Sequence, residues 1–163
     1  MAPRRWVVNA LPLILLGKTN HLGLLGALAD QVVVPKAVVD EVGTKPDGKT
    51  LLQVIAEDPA YTVVANEVAP LEILSWDLGA GETQVIANAQ SHGAERVVID
   101  DLEGRRCAKA MGLTVIGTLG IVGRAKAMGL IDQAKPVVRR LRETGLYASD
   151  ELVRRLGVCA GYV

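Results

Sequence analysis

Apolar positions along this chain come in short blocks separated by longer stretches of helical spacing. Trp6-Val7-Val8 and Gln31-Val32-Val33-Val34 are compact runs stopped by Asn9 and Pro35. Unbroken β-branched runs of that length predict strands buried on both faces. Tyr61-Thr62-Val63-Val64, residues 96–99 and residues 114–116 read as three more strands. Between them lie helical patterns: one after Asn9 with Pro12 in its first turn, a short turn over 21–28, and helices over 36–42, 50–57, 82–91 and 103–111. Lys45-Pro46-Asp47-Gly48 is a turn by composition, with Gly48 expected in the left-handed position. From Thr118 onward the pattern is helical, with breaks near Gly129-Leu130, Gly145 and Gly157.

Strands alternating with helices predict βαβ units and a central parallel sheet flanked by helices, an α/β fold. The order of the strands cannot be read from the pattern. No repeat, low-complexity tract or linker divides the 163 residues, so one domain is expected over 1–163, with a core over about 4–130 and a helical extension over about 131–163.

Half of the residues are hydrophobic but only 3% are aromatic and Phe is absent, so the core must be built from Val, Leu, Ile and Ala. The apolar stretch after Arg4-Arg5 imitates a signal peptide, but Asn9, Lys18, Asn20 and His21 interrupt it, and it is too short to span a bilayer. A cytoplasmic chain with no membrane partner is expected. Cys107 and Cys159 lack CxxC spacing and read as idle thiols in a reducing compartment.

The net charge of zero hides an asymmetry. Residues 1–101 hold 7 Lys/Arg against 13 Asp/Glu, net −6, and residues 102–163 hold 11 against 5, net +6. An acidic pocket beside a basic rim suits metal binding next to a phosphate backbone, although the Arg pairs 105/106, 139/140 and 154/155 are equally what solvated helix faces look like.

Five polar positions fall where such a sheet gathers its ligands, outside the carboxyl ends of the strands: Asn9, Glu41, Glu82, Asp100 and Asp101. Each has a structural explanation too. Asn9 is a good N-cap, Asp100 with Glu103 resembles a capping box, and Glu82 complements a helix dipole. Helical spacing favours a site for two of them. Glu82 shares a stripe with Val85, Ile86 and Ala89, and Glu41 with Val38 and Ala37, while Asp40 turns toward Lys36. Carboxylates on an apolar stripe need a proton or a cation, and a hard dication bound through oxygen satisfies several at once. Gly79-Ala80-Gly81 before a helix could cradle a phosphate but lacks both the dinucleotide spacing and the Walker lysine, so it reads as a turn. His21, His92, Ser75, Ser91 and Ser149 lie in no catalytic pattern.

The blocks WVVNALPLILLG (6–17), VPKAVVDEV (34–42), LGAGETQVIA (78–87), VVIDDLEGRR (97–106) and GTLGIVGRAKAMGLI (117–131) resemble the consecutive blocks of the PIN-like domain family, an uncharacterised branch of the PIN-domain nuclease superfamily. The resemblance covers nearly the whole chain. It implies a Rossmann-like three-layer fold and Mg²⁺- or Mn²⁺-dependent endoribonuclease activity on single-stranded or structured RNA. It also implies toxin–antitoxin pairing, with an antitoxin protein and a second copy of the chain as expected partners. By resemblance Asn9, Glu41 and Glu82 occupy the first three acidic positions and Asp101, beside Asp100, the fourth. Catalysis is then expected from Glu41, Glu82 and Asp101, metal binding from these with Asn9 and Asp100, and phosphate contacts from Arg105, Arg106 and Lys109.

One position departs from the family pattern. The opening block usually carries Asp, a small residue and Ser or Thr, and here it reads Asn9-Ala10-Leu11. A unit charge ~4 Å from an ion is worth on the order of 4 kcal/mol at an effective dielectric near 20. Half of that changes affinity more than tenfold. Two other readings therefore stand beside the nuclease: a degenerate PIN domain that binds nucleic acid or protein without cleavage, and a nucleotide- or phosphate-binding module built on the Gly79–Gly81 turn.

Overall fold

In the computed structural model, which describes residues 2–151, 153 and 154, the chain forms a five-stranded sheet in the order β3-β2-β1-β4-β5. Its strands are β1 (Arg5–Val8), β2 (Gln31–Pro35), β3 (Tyr61–Val64), β4 (Arg96–Val98) and β5 (Val115–Ile116). Every pairing is parallel, with Val7 beside Val33 on one side and Val97 on the other. The central strands β1, β2 and β4 are buried almost throughout, as their unbroken apolar runs predict. The edge strand β3 exposes Thr62 and Val63, and the opposite edge β5 is only two residues long, which limits pairing with another chain.

The helices that cover the sheet begin with α1 (Ala10–Lys18), α2 (Gly23–Leu28), α3 (Lys36–Gly43) and α4 (Gly48–Glu57). They continue with α5 (Leu71–Leu74), α6 (Ala80–His92), α7 (Leu102–Ala110), α8 (Thr118–Ala127) and α9 (Ala134–Thr144), and a further helical segment starts at Asp150. Two features depart from the sequence reading. The one-turn helix α5 is not evident in the pattern, because four residues are too few to show a period. In the turn before α4 it is Asp47 that takes the left-handed conformation, at φ 61°, a position a short polar side chain tolerates. Gly48 is required there for another reason: a Cβ would collide with the carbonyl oxygen of Val42.

The main core, drawn from Trp6, Leu13, Leu16, Val33, Ile86 and their neighbours, fills the space on both faces of the sheet without a phenylalanine. A second cluster joins Leu15 and Leu119 to Val138, Leu141 and Leu146, so Leu141 and Leu146 are core residues. Ile131 packs against both clusters. Leu152, Leu156, Gly157 and Cys159 lie outside the described residues, as does Arg155. Cys107 is buried and free. Among the described residues no helix is long and apolar enough to cross a membrane.

Candidate metal centre

The strand order reverses between β1 and β4, because β2 and β3 extend to one side of β1 and β4 and β5 to the other. A crevice opens at such a switch, outside the carboxyl ends of the strands. Asn9 follows β1 there, and its backbone N–H donates to the Val98 carbonyl at the end of β4 (3.0 Å). Asp100 and Asp101 follow β4 on the other wall. Two helices bring in the remaining acids: α3, which begins directly after β2, carries Glu41, and α6, which leads toward β4, carries Glu82 in its first turn.

Asn9 sits at the N-cap position of α1, yet its side chain makes no capping hydrogen bond. The residue is 7% exposed, and its Oδ1 is buried with no hydrogen-bond partner. The Oε2 of Glu82 is in the same condition. Buried oxygens are rarely left alone, and two at one site point to a missing donor or cation.

Glycines make the room. A Cβ on Gly81 would stand 2.9 Å from Glu41 Oε2 and 3.2 Å from Asn9 Oδ1, so both oxygens converge on the first turn of α6. A Cβ on Gly104 would collide with Glu82 Oε2. Glycine inside a helix costs about 1 kcal/mol relative to alanine, and Gly104 within α7 was the available sequence signal for a close approach. The sequence pattern starts the next helix at Glu82, whereas α6 begins at Ala80 and so takes Gly81 into its first turn.

Val85, Ile86 and Ala89 are buried, so the stripe that carries Glu82 does face the core. Burial pushes the Glu82 carboxyl up from 4.5 to about 7, helped by the negative charge of Asp101, a hydrogen bond between the two carboxyls when one is protonated, and the charge of Glu41. The Cys107 thiol is pushed up by burial and by Glu82 nearby. The inward stripe expected for Glu41 needs correction: Val38 is buried, but Glu41 at the last turn of α3 is exposed at the crevice mouth, whereas Asp40 pairs with Lys36 as its spacing implies.

The two aspartates divide their work differently from the sequence reading. The cap of α7 is Asp101, whose Oδ2 accepts from the Gly104 N–H (3.1 Å), so the capping register lies one residue later than Asp100 with Glu103. Asp100 turns to α8: its Oδ1 accepts from the Thr118 N–H (2.7 Å) and its Oδ2 from the Thr118 hydroxyl (2.6 Å). Arg105 lies against the same spot, since a Cβ on Gly117 would stand 2.7 Å from Arg105 Nη1 and 2.9 Å from Asp100 Oδ1. Arg105 Nη1 also donates to the Ile99 carbonyl (3.0 Å). It is a half-buried tie between α7 and the end of β4. Arg106 is exposed in an ion pair with Glu103 (2.9 Å), and Lys109 is exposed.

Asp100→Ala removes the cap of α8 and leaves Arg105 without its neighbouring charge. A loss of roughly 1–2 kcal/mol of stability is expected, read as a lower Tm without metal, whereas Asp100→Asn keeps an acceptor and loses less.

Oxygen donors from Asn9, Glu41, Glu82 and Asp101 suit a hard divalent cation, and the two orphaned oxygens fit one. Among the described residues, no three Asp, Glu, His or Cys side chains stand close enough to form a finished cage. Like charges spread apart when nothing neutralises them, so an ion would have to draw these carboxylates inward.

Compared with curated proteins of known function, the sequence finds no match. A family model, DUF3368, described as a PIN domain, matches residues 5–160. That match spans all five strands, the crevice and the helices that carry its acidic residues, and the all-parallel sheet with flanking helices is the three-layer arrangement expected of such a domain. The chain belongs to the PIN-domain family.

Proposed function

We propose that this PIN domain is a divalent-metal-dependent endoribonuclease, with Asn9, Glu41, Glu82 and Asp101 as the residues that hold Mg²⁺ or Mn²⁺. The observation that carries the reading is the pair of buried, unpartnered oxygens, Asn9 Oδ1 and Glu82 Oε2, at the switch point beside Glu41 and Asp101. Burial pushes the Glu82 carboxyl up to about 7, so a bound cation would favour its ionised form, while Asp101 offers the oxygen that its capping bond leaves free and Asn9 contributes a neutral carbonyl. A bound dication supplies Lewis-acid polarisation of a phosphoryl oxygen and charge neutralisation in phosphodiester hydrolysis. No nucleophilic side chain is then required.

Arg106 and Lys109, exposed on α7 directly after Asp101, are the cations proposed to meet the RNA backbone. Arg105 is left out of that role by its tie to Ile99, and Asp100 out of the ligand set by its tie to Thr118. The chain is proposed to act as one domain, supported by Ile131 bridging the two buried clusters. An antitoxin protein and a second copy of the chain are proposed partners on the family resemblance alone.

The second reading, a PIN domain that binds nucleic acid or protein without cutting, is favoured by one observation: the first ligand position carries no charge. Incubating RNA with Mn²⁺ or Mg²⁺ and either the parent or Glu82→Gln separates the two. Cleavage by the parent alone supports the nuclease, cleavage by neither supports the binder, and equal cleavage by both exposes a contaminant.

A further inference from the structure

The two helices that carry Glu41 and Glu82 are joined by a segment that the proposed chemistry does not use. It lies between β3 and α5 and runs from Ala65 to Pro70. The Asn66 Oδ1 accepts from the Ala37 N–H in the first turn of α3 (2.9 Å). One residue later, the Glu67 backbone is gripped on both sides by the Gln84 side chain of α6. The Glu67 N–H donates to Gln84 Oε1 (2.9 Å), and Gln84 Nε2 donates to the Glu67 carbonyl (2.8 Å). The Glu67 carboxylate is held as well, by the Asn88 amide (3.4 Å) and by His92 (3.1 Å), and Ala69 is buried beneath the loop. Two consecutive residues thus fasten the start of α3 to the middle of α6.

Glu41 stands one helical turn after Ala37 on α3, and Glu82 stands two residues before Gln84 on α6. Their carboxylates face one crevice, and when both are ionised the electrostatic force on the two helices is outward unless a cation lies between them. Direct packing between the helices at this end runs over the small surface of Gly81, where Val38 Cγ2 would be 3.5 Å from an added Cβ. Gly81 lets α3 and α6 approach closely there, so a small relative shift of the two helices moves Glu41 against Glu82.

We propose that Asn66 and Gln84 are positioning residues that strap α3 to α6 and hold Glu41 beside Glu82 in advance of metal binding. The inference rests on the metal reading given above. Supporting groups outside the ligands fix ligand geometry, and their loss typically weakens metal affinity by roughly 10- to 100-fold. The strap touches neither ligand directly and acts through the relative position of two helices.

The test measures Mn²⁺ affinity by electron paramagnetic resonance of the free ion, well below the melting temperature, for the parent, Asn66→Ala, Gln84→Met and the double variant. Gln84→Met keeps the side-chain volume and removes both hydrogen bonds. Each single variant should bind Mn²⁺ roughly tenfold more weakly. The double variant should be hardly weaker than either single one, because a strap cut at one end is already open. Asn66→Asp keeps an acceptor at the α3 N-terminus and should restore the parent's affinity. Melting in EDTA is recorded alongside; a purely structural role lowers Tm and leaves the affinity of the folded protein unchanged. Parent-like Mn²⁺ affinity in Asn66→Ala and Gln84→Met overturns the strap and leaves the metal reading standing. Absence of Mn²⁺ binding by the parent overturns both.

Discussion

Glu82→Gln should bind Mn²⁺ at least about 30-fold more weakly than the parent, and without metal it should be the more stable of the two above neutral pH. The first effect follows from charge. A carboxylate ~4 Å from a cation contributes on the order of 4 kcal/mol at an effective dielectric near 20, and half of that is already about 30-fold. The second follows from the direction of the Glu82 shift. In the folded, metal-free protein its carboxyl titrates near 7, raised from 4.5 by burial and by Asp101 and Glu41. Folding therefore favours the protonated form. The associated stability is fully present below about pH 4.5 and is lost as the pH rises through about 7. Glu82 is half-buried, so after discounting for solvent screening the loss is ~1–2 kcal/mol. Melting curves in EDTA at about pH 5 and about pH 8 should show the parent declining more than Glu82→Gln. With saturating Mn²⁺ at the higher pH the order should reverse, because only the parent gains strongly from the ion. If the parent and Glu82→Gln bind Mn²⁺ equally, Glu82 is not a ligand and the proposed centre is wrong.

Asn9→Asp should move metal affinity in the opposite direction, tightening Mn²⁺ binding by more than tenfold, since the same Coulomb estimate applies to a charge gained. The substitution is nearly isosteric, and Asn9 Oδ1 has no hydrogen bond to lose. Its cost appears only without metal. A fourth negative charge joins Glu41, Glu82 and Asp101, so the metal-free Asn9→Asp protein should melt lower at about pH 8 and lose that deficit on adding Mn²⁺. RNA cleavage by Asn9→Asp where the parent shows none would identify the natural domain as a binder with a latent site. Cleavage by the parent, enhanced in Asn9→Asp, would identify a nuclease of reduced metal affinity. An unchanged Mn²⁺ Kd would remove Asn9 from the centre.

Much of this molecule is written locally. Val7, Val8, Val32, Val33, Val34, Val97 and Val98 announce buried parallel strands because both faces of each strand are covered, and an unbroken β-branched run fits nothing else of that length. The inward turn of Glu82 is equally local: a 3.6-residue period places it over Val85, Ile86 and Ala89 whatever the helix packs against. Even the pairing of Asp40 with Lys36, which leaves Glu41 to the crevice, is a matter of helical spacing.

Tertiary structure decided what no spacing encodes. Strand order depends on which apolar runs meet across the chain, and the runs are too alike to specify neighbours, so the switch point between β1 and β4 emerges only in the fold. The same holds for the partition of Asp100 and Asp101. Both are plausible caps by sequence, yet Asp100 is claimed by Thr118, eighteen residues on, while Asp101 caps its own helix and keeps an oxygen toward Glu82. Gly81 and Gly104 look like helix-weakening residues until two remote carboxylates occupy the space where their side chains would be. Periodicity determines which way a side chain points on its own element, whereas the atoms it meets are set by long-range packing.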